Sequence, residues 1–159
     1  MSRKQVKIHP WAGGEVSAGW FAMIAPELAM EPKFRKLSHA ARAFYLTLVM
    51  HRETEIQQKT LYTTLTQYNT ILGLGMTDFD IKNECFPSRK SKYTRGLFVA
   101  PQAHLELYGY GKNYVSMLKK ELIEAGFIRL VYGGKGRFCG FSKNCSVYAF
   151  CNDWMNEEN

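Results

Sequence analysis

The side chains best placed by type and spacing to do chemistry are basic ones. Lys112, Lys119 and Lys120 stand in one short run with Asn113, Ser116 and Met117, and Lys135, Arg137 and Lys143 follow beyond it. Arg89, Lys90, Lys92 and Arg95 precede the run in a stretch, Pro87 to Gly96, that holds no acid. Ammonium groups bind anionic oxygens as point charges, and guanidinium groups bind them as two-pronged donors. The Asn113 amide, a donor beside an acceptor, matches the hydrogen-bonding edge of adenine.

Other candidate groups offer less. Asp78, Asp80 and Glu84 could share a cation, but no positioned base or second acidic cluster accompanies them. No His-Glu-x-x-His, Gly-x-Ser-x-Gly or nucleotide-loop motif occurs, so neither catalysis nor a cofactor is expected. Cys85, Cys139, Cys145 and Cys151 lack the close pairing that holds a tetrahedral zinc, and His9, His39, His51 and His104 are scattered. No metal is expected, and the cysteines read as free thiols in a reducing compartment. Gly133, Gly134 and Gly136 read as a hairpin tip rather than a phosphate cradle.

The charge is concentrated. The chain carries +7 overall, yet residues 87–143 hold 11 Lys and Arg against 3 acids, whereas residues 144–159 hold 3 acids and no base. Such a block of positive charge suits a polyanion. The 159 residues fit one domain with arms, 46% hydrophobic and 22% charged, which excludes a disordered chain. No run approaches the ~20 apolar residues of a membrane span, and no apolar leader core follows Met1. A cytoplasmic protein is therefore expected, with no membrane partner.

These basic residues need elements to position them. Residues 1–36 read as an extension packing on the body, with Trp20 to Leu28 extended. Residues 37–154 read as the domain proper and 155–159 as a frayed tail. Ser38 is a good N-cap, and Leu37, Ala41, Phe44, Tyr45, Leu48 and Val49 repeat at helical spacing, predicting a helix from Ser38 to Arg52. A second helix is expected over Lys59 to Leu72, stopped by Gly73, and then an irregular connection from Met76 to Gly96. Leu97 to Val99 is strand-like, and Pro101 opens a short helix to Tyr108. Gly109 to Gly111 turns the chain, Lys112 to Ala125 is amphipathic, and Gly126 stops it. Phe127 to Tyr132 and Ser146 to Cys151 then read as a β-hairpin around a glycine-rich tip.

Helix, glycine turn, helix and hairpin in that order predict an α+β fold, a winged helix-turn-helix with an N-terminal extension and a basic loop before the helix pair. Val115, Leu118 and Leu122 belong to its core. His104 reads as a surface or packing residue, and Tyr108, Tyr110, Tyr114 and Tyr132 as core aromatics that could alternatively stack on bases.

The run from Gly109 through Asn113 and Tyr114 to Glu121-Leu122-Ile123-Glu124-Ala125-Gly126-Phe127-Ile128 resembles the winged-helix proteins of bacterial plasmids, phages and conjugative elements. Leu37-Ser38, Ala41-Arg42 and Phe44-Tyr45 are similar to the helix start in the N-terminal domain of Gram-positive plasmid replication initiators. The resemblance implies a non-enzymatic binder of double-stranded DNA, acting as a transcriptional regulator or replication accessory. On that expectation Lys112, Asn113, Ser116, Met117 and Lys120 face bases in the major groove. Arg89, Lys90, Lys92, Arg95, Lys119, Lys135, Arg137 and Lys143 face phosphates, as do the amides after Gly111. A homodimer reading two half-sites is compatible with it. The alternative is a protein-interaction module or inhibitor docking on a host or phage-defence protein.

Overall fold

A computed structural model describes residues 8–9, 14–15, 26–86, 96–133 and 145–151. Within them the chain is α+β. Two short strands, β1 (Ile8–His9) and β2 (Gly14–Glu15), pair with each other. Helices α1 (Pro26–Met30), α2 (Pro32–Arg35), α3 (His39–Arg52), α4 (Glu55–Leu72) and α5 (Asp78–Cys85) follow. Strand β3 (Leu97–Val99), helices α6 (Gln102–Glu106) and α7 (Lys112–Glu124), and strands β4 (Ile128–Tyr132) and β5 (Val147–Phe150) complete the order. The sheet β3-β5-β4 is antiparallel throughout, with β5 central, an order compatible with a winged helix.

Sequence alternation decides what covers the sheet. Phe98, Tyr148, Phe150 and Ile128 face one side, against Phe44, Leu48, Leu105, Val115, Leu118 and Leu122 of α3, α6 and α7. Leu97, Val99, Val147 and Ala149 face the other, against Leu61, Leu65 and Tyr68 of α4 and Ile81 and Cys85 of α5. Successive strand side chains point to opposite faces, so a strand buried on both reads as continuously apolar, and Leu97, Phe98 and Val99 are all fully buried.

Strand β3 is an edge strand, yet its outer edge is closed. The Val99 amide donates to Gln57 Oε1 at 2.9 Å, and Gln57 Nε2 donates to the Arg52 carbonyl at 3.1 Å. The Arg52 Nε donates to the Leu97 carbonyl at 3.4 Å. The α3–α4 junction thus supplies side chains where a fourth strand would supply backbone.

Several expectations are corrected. Helix α4 begins at Glu55 rather than Lys59, because Thr54 caps it by accepting from the Gln57 amide; Gly73 ends it at φ 60° as expected. The stretch after Met76 contains α5, started by a capping box in which Thr77 accepts from the Asp80 amide and Asp80 accepts from the Thr77 amide. Pro26 to Leu28 are helical, not extended, and α6 stops at Glu106 rather than Tyr108. Leu28 and Phe34 join the core beside α3. Trp20, Trp154 and the tail 155–159 lie outside the described residues.

The hairpin base is tight. Gly133 has φ 102°, and a Cβ there would stand 2.8 Å from Ser146 Oγ and 3.0 Å from both Ser146 Cα and the Tyr68 hydroxyl. Tyr68 stacks on Tyr132 and donates to the Cys145 carbonyl at 3.1 Å.

Two expected outcomes follow from this packing. Gln57→Ala leaves the Val99 amide buried without an acceptor and lowers stability by about 1–3 kcal/mol, measured by urea unfolding. Gly133→Ala combines backbone strain with a clash and also costs about 1–3 kcal/mol, whereas Gly109→Ala meets no atom within 4 Å and is strained only through its φ of 87°.

Candidate nucleic-acid interface

Helix α7 sorts its residues by face. Val115, Leu118 and Leu122 are buried in the core, while Lys112, Asn113, Ser116, Met117 and Lys120 are all exposed, Lys112, Ser116 and Lys120 on the flank beside the sheet and Asn113 and Met117 farther round. The structure thus brings together the whole expected base-reading set. Gly111 gives the helix no side-chain cap, so its first amides are not engaged by one.

The two residues at the borders of the buried face anchor α7 sideways. Glu121 reaches α3, where its carboxylate accepts from the Ser38 amide at 2.8 Å and the Ser38 hydroxyl at 2.9 Å, while Ser38 also caps α3 through the Ala41 amide. On the other border Lys119 Nζ donates to the Ala100 carbonyl at 3.1 Å and lies 4.8 Å from the centre of the Tyr148 ring. Burial pushes that amine down to about 8. Lys119, expected on or near the outward side of the helix, instead folds its stem and amine against the sheet. It lines a cleft of about 490 Å³ that α7 forms with Ala100, Pro101, Ser146 and Tyr148.

The other expected phosphate contacts, Arg89, Lys90, Lys92, Arg95, Lys135, Arg137 and Lys143, lie outside the described residues. Their attachment points are described. Segment 134–144 leaves from Gly133 and returns at Cys145, at the Val99–Val147 end of the sheet and next to the cleft. Segment 87–95 enters at Gly96, whose carbonyl accepts from the Phe150 amide at the opposite end. The two basic segments are thus attached to opposite ends of one short sheet.

The helix pair has a polar support that the sequence did not signal. His51 Nε2 and His104 Nδ1 are 3.0 Å apart, His51 Nδ1 lies 2.8 Å from the Tyr108 hydroxyl, and His104 Nε2 lies 3.5 Å from Thr60 Oγ1. Because the Thr60 hydroxyl donates to the Ile56 carbonyl, one direction of donation satisfies the chain: Tyr108 to His51, His51 to His104, His104 to Thr60. That direction requires both imidazoles neutral. Burial, together with the neighbouring His104, pushes His51 down to about 4, and burial lowers His104. His104 is therefore a packing residue, as one expectation had it, and it ties α6 to α3 and α4.

The remaining aromatics are distributed. Tyr110 packs edge-on against Phe44, Tyr132 stacks on Tyr68, and Tyr114 is the α7 tyrosine that stands exposed. The acids Asp78 and Asp80 serve helix α5: Asp78 accepts from Tyr62 and pairs with Lys82 at 2.8 Å, and Asp80 caps. Cys85, Cys145 and Cys151 are free thiols, and burial pushes Cys85 up to about 12; Cys139 lies outside the described residues. No helix among the described residues is long and apolar enough to cross a membrane. Comparison with known protein families, with curated proteins and with solved structures finds no match for the chain.

The two histidines take up protons at lower pH in the folded chain than the ~6.5 of an unfolded one. Stability is therefore complete above about pH 6.5 and declines as pH falls toward about 4, because the unfolded state binds more protons across that window. Thermal unfolding measured from pH 7.5 to 4.5 should show a falling Tm, with a shallower fall in His104→Gln.

Proposed function

We propose that the chain is a winged-helix protein that binds double-stranded DNA without catalysing a reaction, with α7 in the major groove and the β4–β5 hairpin beside it. One observation carries this function: the face of α7 that leaves the body presents Lys112, Asn113, Ser116, Met117 and Lys120 together, while Lys119 and Glu121 clamp the helix from either side. A major groove about 12 Å wide admits a helix held this way, and a helix that cannot roll keeps its base-facing side chains in register. The helix pair α6–α7 preceding the hairpin, the strand order β3-β5-β4 and the resemblance to mobile-element proteins support the same function. The biological setting proposed is transcriptional regulation or replication accessory work in the cytoplasm, with a homodimer as the form that reads two half-sites.

In this mode Asn113 reads a base through its amide, and Lys112, Ser116, Met117 and Lys120 contact neighbouring base edges. Lys135, Arg137 and Lys143 hold phosphates from the hairpin. Arg89, Lys90, Lys92 and Arg95 hold phosphates from the segment before β3. Lys119 holds one only from inside its cleft. A second function, docking on a host or phage-defence protein, is favoured by Tyr114 and Met117, which are 43% and 59% exposed on α7.

Fluorescence anisotropy on random and selected duplexes separates the two. DNA reading predicts a selected duplex bound at least ~10³ more tightly than random DNA. Neutralising about six phosphates predicts a loss of ~10³ in affinity between about 50 and 200 mM salt. Asn113→Ala should cost about 1–3 kcal/mol at one base position, and Lys135→Ala should weaken all duplexes alike. Equal, weak binding to every duplex overturns base reading and favours protein docking.

A further inference from the structure

Among the described residues no carboxylate stands beside the Lys119 ammonium, and the titratable group that acts on it is the Cys145 thiol. Its ammonium has three donors, of which the Ala100 carbonyl takes one, and the Tyr148 ring contributes only its π face. Buried cations are ordinarily paired with a carboxylate, since desolvation otherwise disfavours the charge. The acid lining this cleft is Glu124, and it sits 4.0 Å from Lys120. Burial depresses the Lys119 titration, and the Cys145 thiol only partly opposes it.

The cleft has the chemistry of an anion seat in other respects. Lys112 and Lys120 line it as exposed ammonium groups, and Ser116 and Ser146 line it with hydroxyls. Its volume of about 490 Å³ accommodates one small tetrahedral oxyanion with its water.

We propose that the cleft between α7 and the sheet seats a single phosphate group, with the Lys119 ammonium as its inner ligand and Lys112 and Lys120 beside it. The phosphate comes either from a DNA backbone or from a free phosphate ester; the first source rests on the DNA-binding function proposed above, and the seat itself does not. Seating a dianion there gives the Lys119 ammonium the anionic partner that no carboxylate among the described residues supplies.

The test is a titration of the isotope-labelled full chain with sodium phosphate, followed by amide NMR, with sodium chloride at equal ionic strength as control. Saturable shifts at Ser116, Lys119 and Ser146 that chloride does not produce support the seat. Lys119→Met, similar in length but uncharged, should bind phosphate about tenfold more weakly, or about 1.4 kcal/mol. If that variant fails to fold, Lys112→Met and Lys120→Met, both at exposed positions, should each weaken binding severalfold. No saturable shift at the cleft, or equal affinity in all three variants, overturns the seat.

A random duplex added to the phosphate-loaded protein distinguishes the sources. Displacement of phosphate from the cleft identifies the backbone as the occupant, and simultaneous binding identifies a free ester. Duplex binding without any phosphate seat overturns this inference alone. Phosphate seating without any duplex binding overturns the DNA-binding function alone.

Discussion

Leu97, Phe98 and Val99 are all withdrawn from water, so the three residues of β3 must be covered on two faces and along one edge at once. Both layers that cover the sheet are arranged around that demand. Helices α3, α6 and α7 cover the aromatic face, α4 and α5 cover the aliphatic face, and Gln57 and Arg52 close the edge. A short strand can carry this load because each buried residue removes apolar area from water at about 25 cal/mol per Å². It does so without leaving an outward amide or carbonyl bare at the positions these side chains reach.

Burying the sheet on both sides also fixes α7. With α4 and α5 behind the sheet, α7 has a firm surface on its inner side, and its borders are held by two of its own charged side chains, which reach different parts of the chain. Glu121 joins it to the start of α3 and Lys119 to the end of β3. The outer face is left with polar and flexible side chains and Met117. A helix with a rigid inner face and an adaptable outer one is suited to binding, since little motion of the backbone has to be frozen on association.

The His51–His104–Tyr108 chain shows a second use of buried polarity. With Thr60 it joins three helices and a turn by directional bonds where an apolar contact would tolerate sliding. Its cost is a requirement for neutral imidazoles, which couples the seating of α6 to proton concentration.

Much of this was legible in the amino-acid sequence. Helical spacing from Leu37 to Val49 and from Val115 to Leu122, the glycines at 73 and 126, and the apolar runs of β3 and β5 set the elements nearly where they are found. Five of the exposed positions of α7, Lys112, Asn113, Ser116, Met117 and Lys120, followed from the same periodicity, because a helix must turn one stripe outward when the other is buried. The Thr77–Asp80 capping box is also present in the sequence, within a polar stretch that reads as an irregular connection, and α4 begins a turn before Lys59 because Thr54 caps it.

What periodicity could not decide was partnership at a distance. Gln57 on Val99, Glu121 on Ser38, His51 on His104 and Lys119 under Ala100 join residues 19 to 83 positions apart. A lysine at the border of an amphipathic face can point outward or inward at equal local cost, and only the sheet packed against α7 settles which. The sequence by itself therefore determined the elements and the outward face of α7, since both depend on neighbours within a few residues. Tertiary structure alone decided which polar groups are buried, because that depends on what the rest of the chain brings beside them.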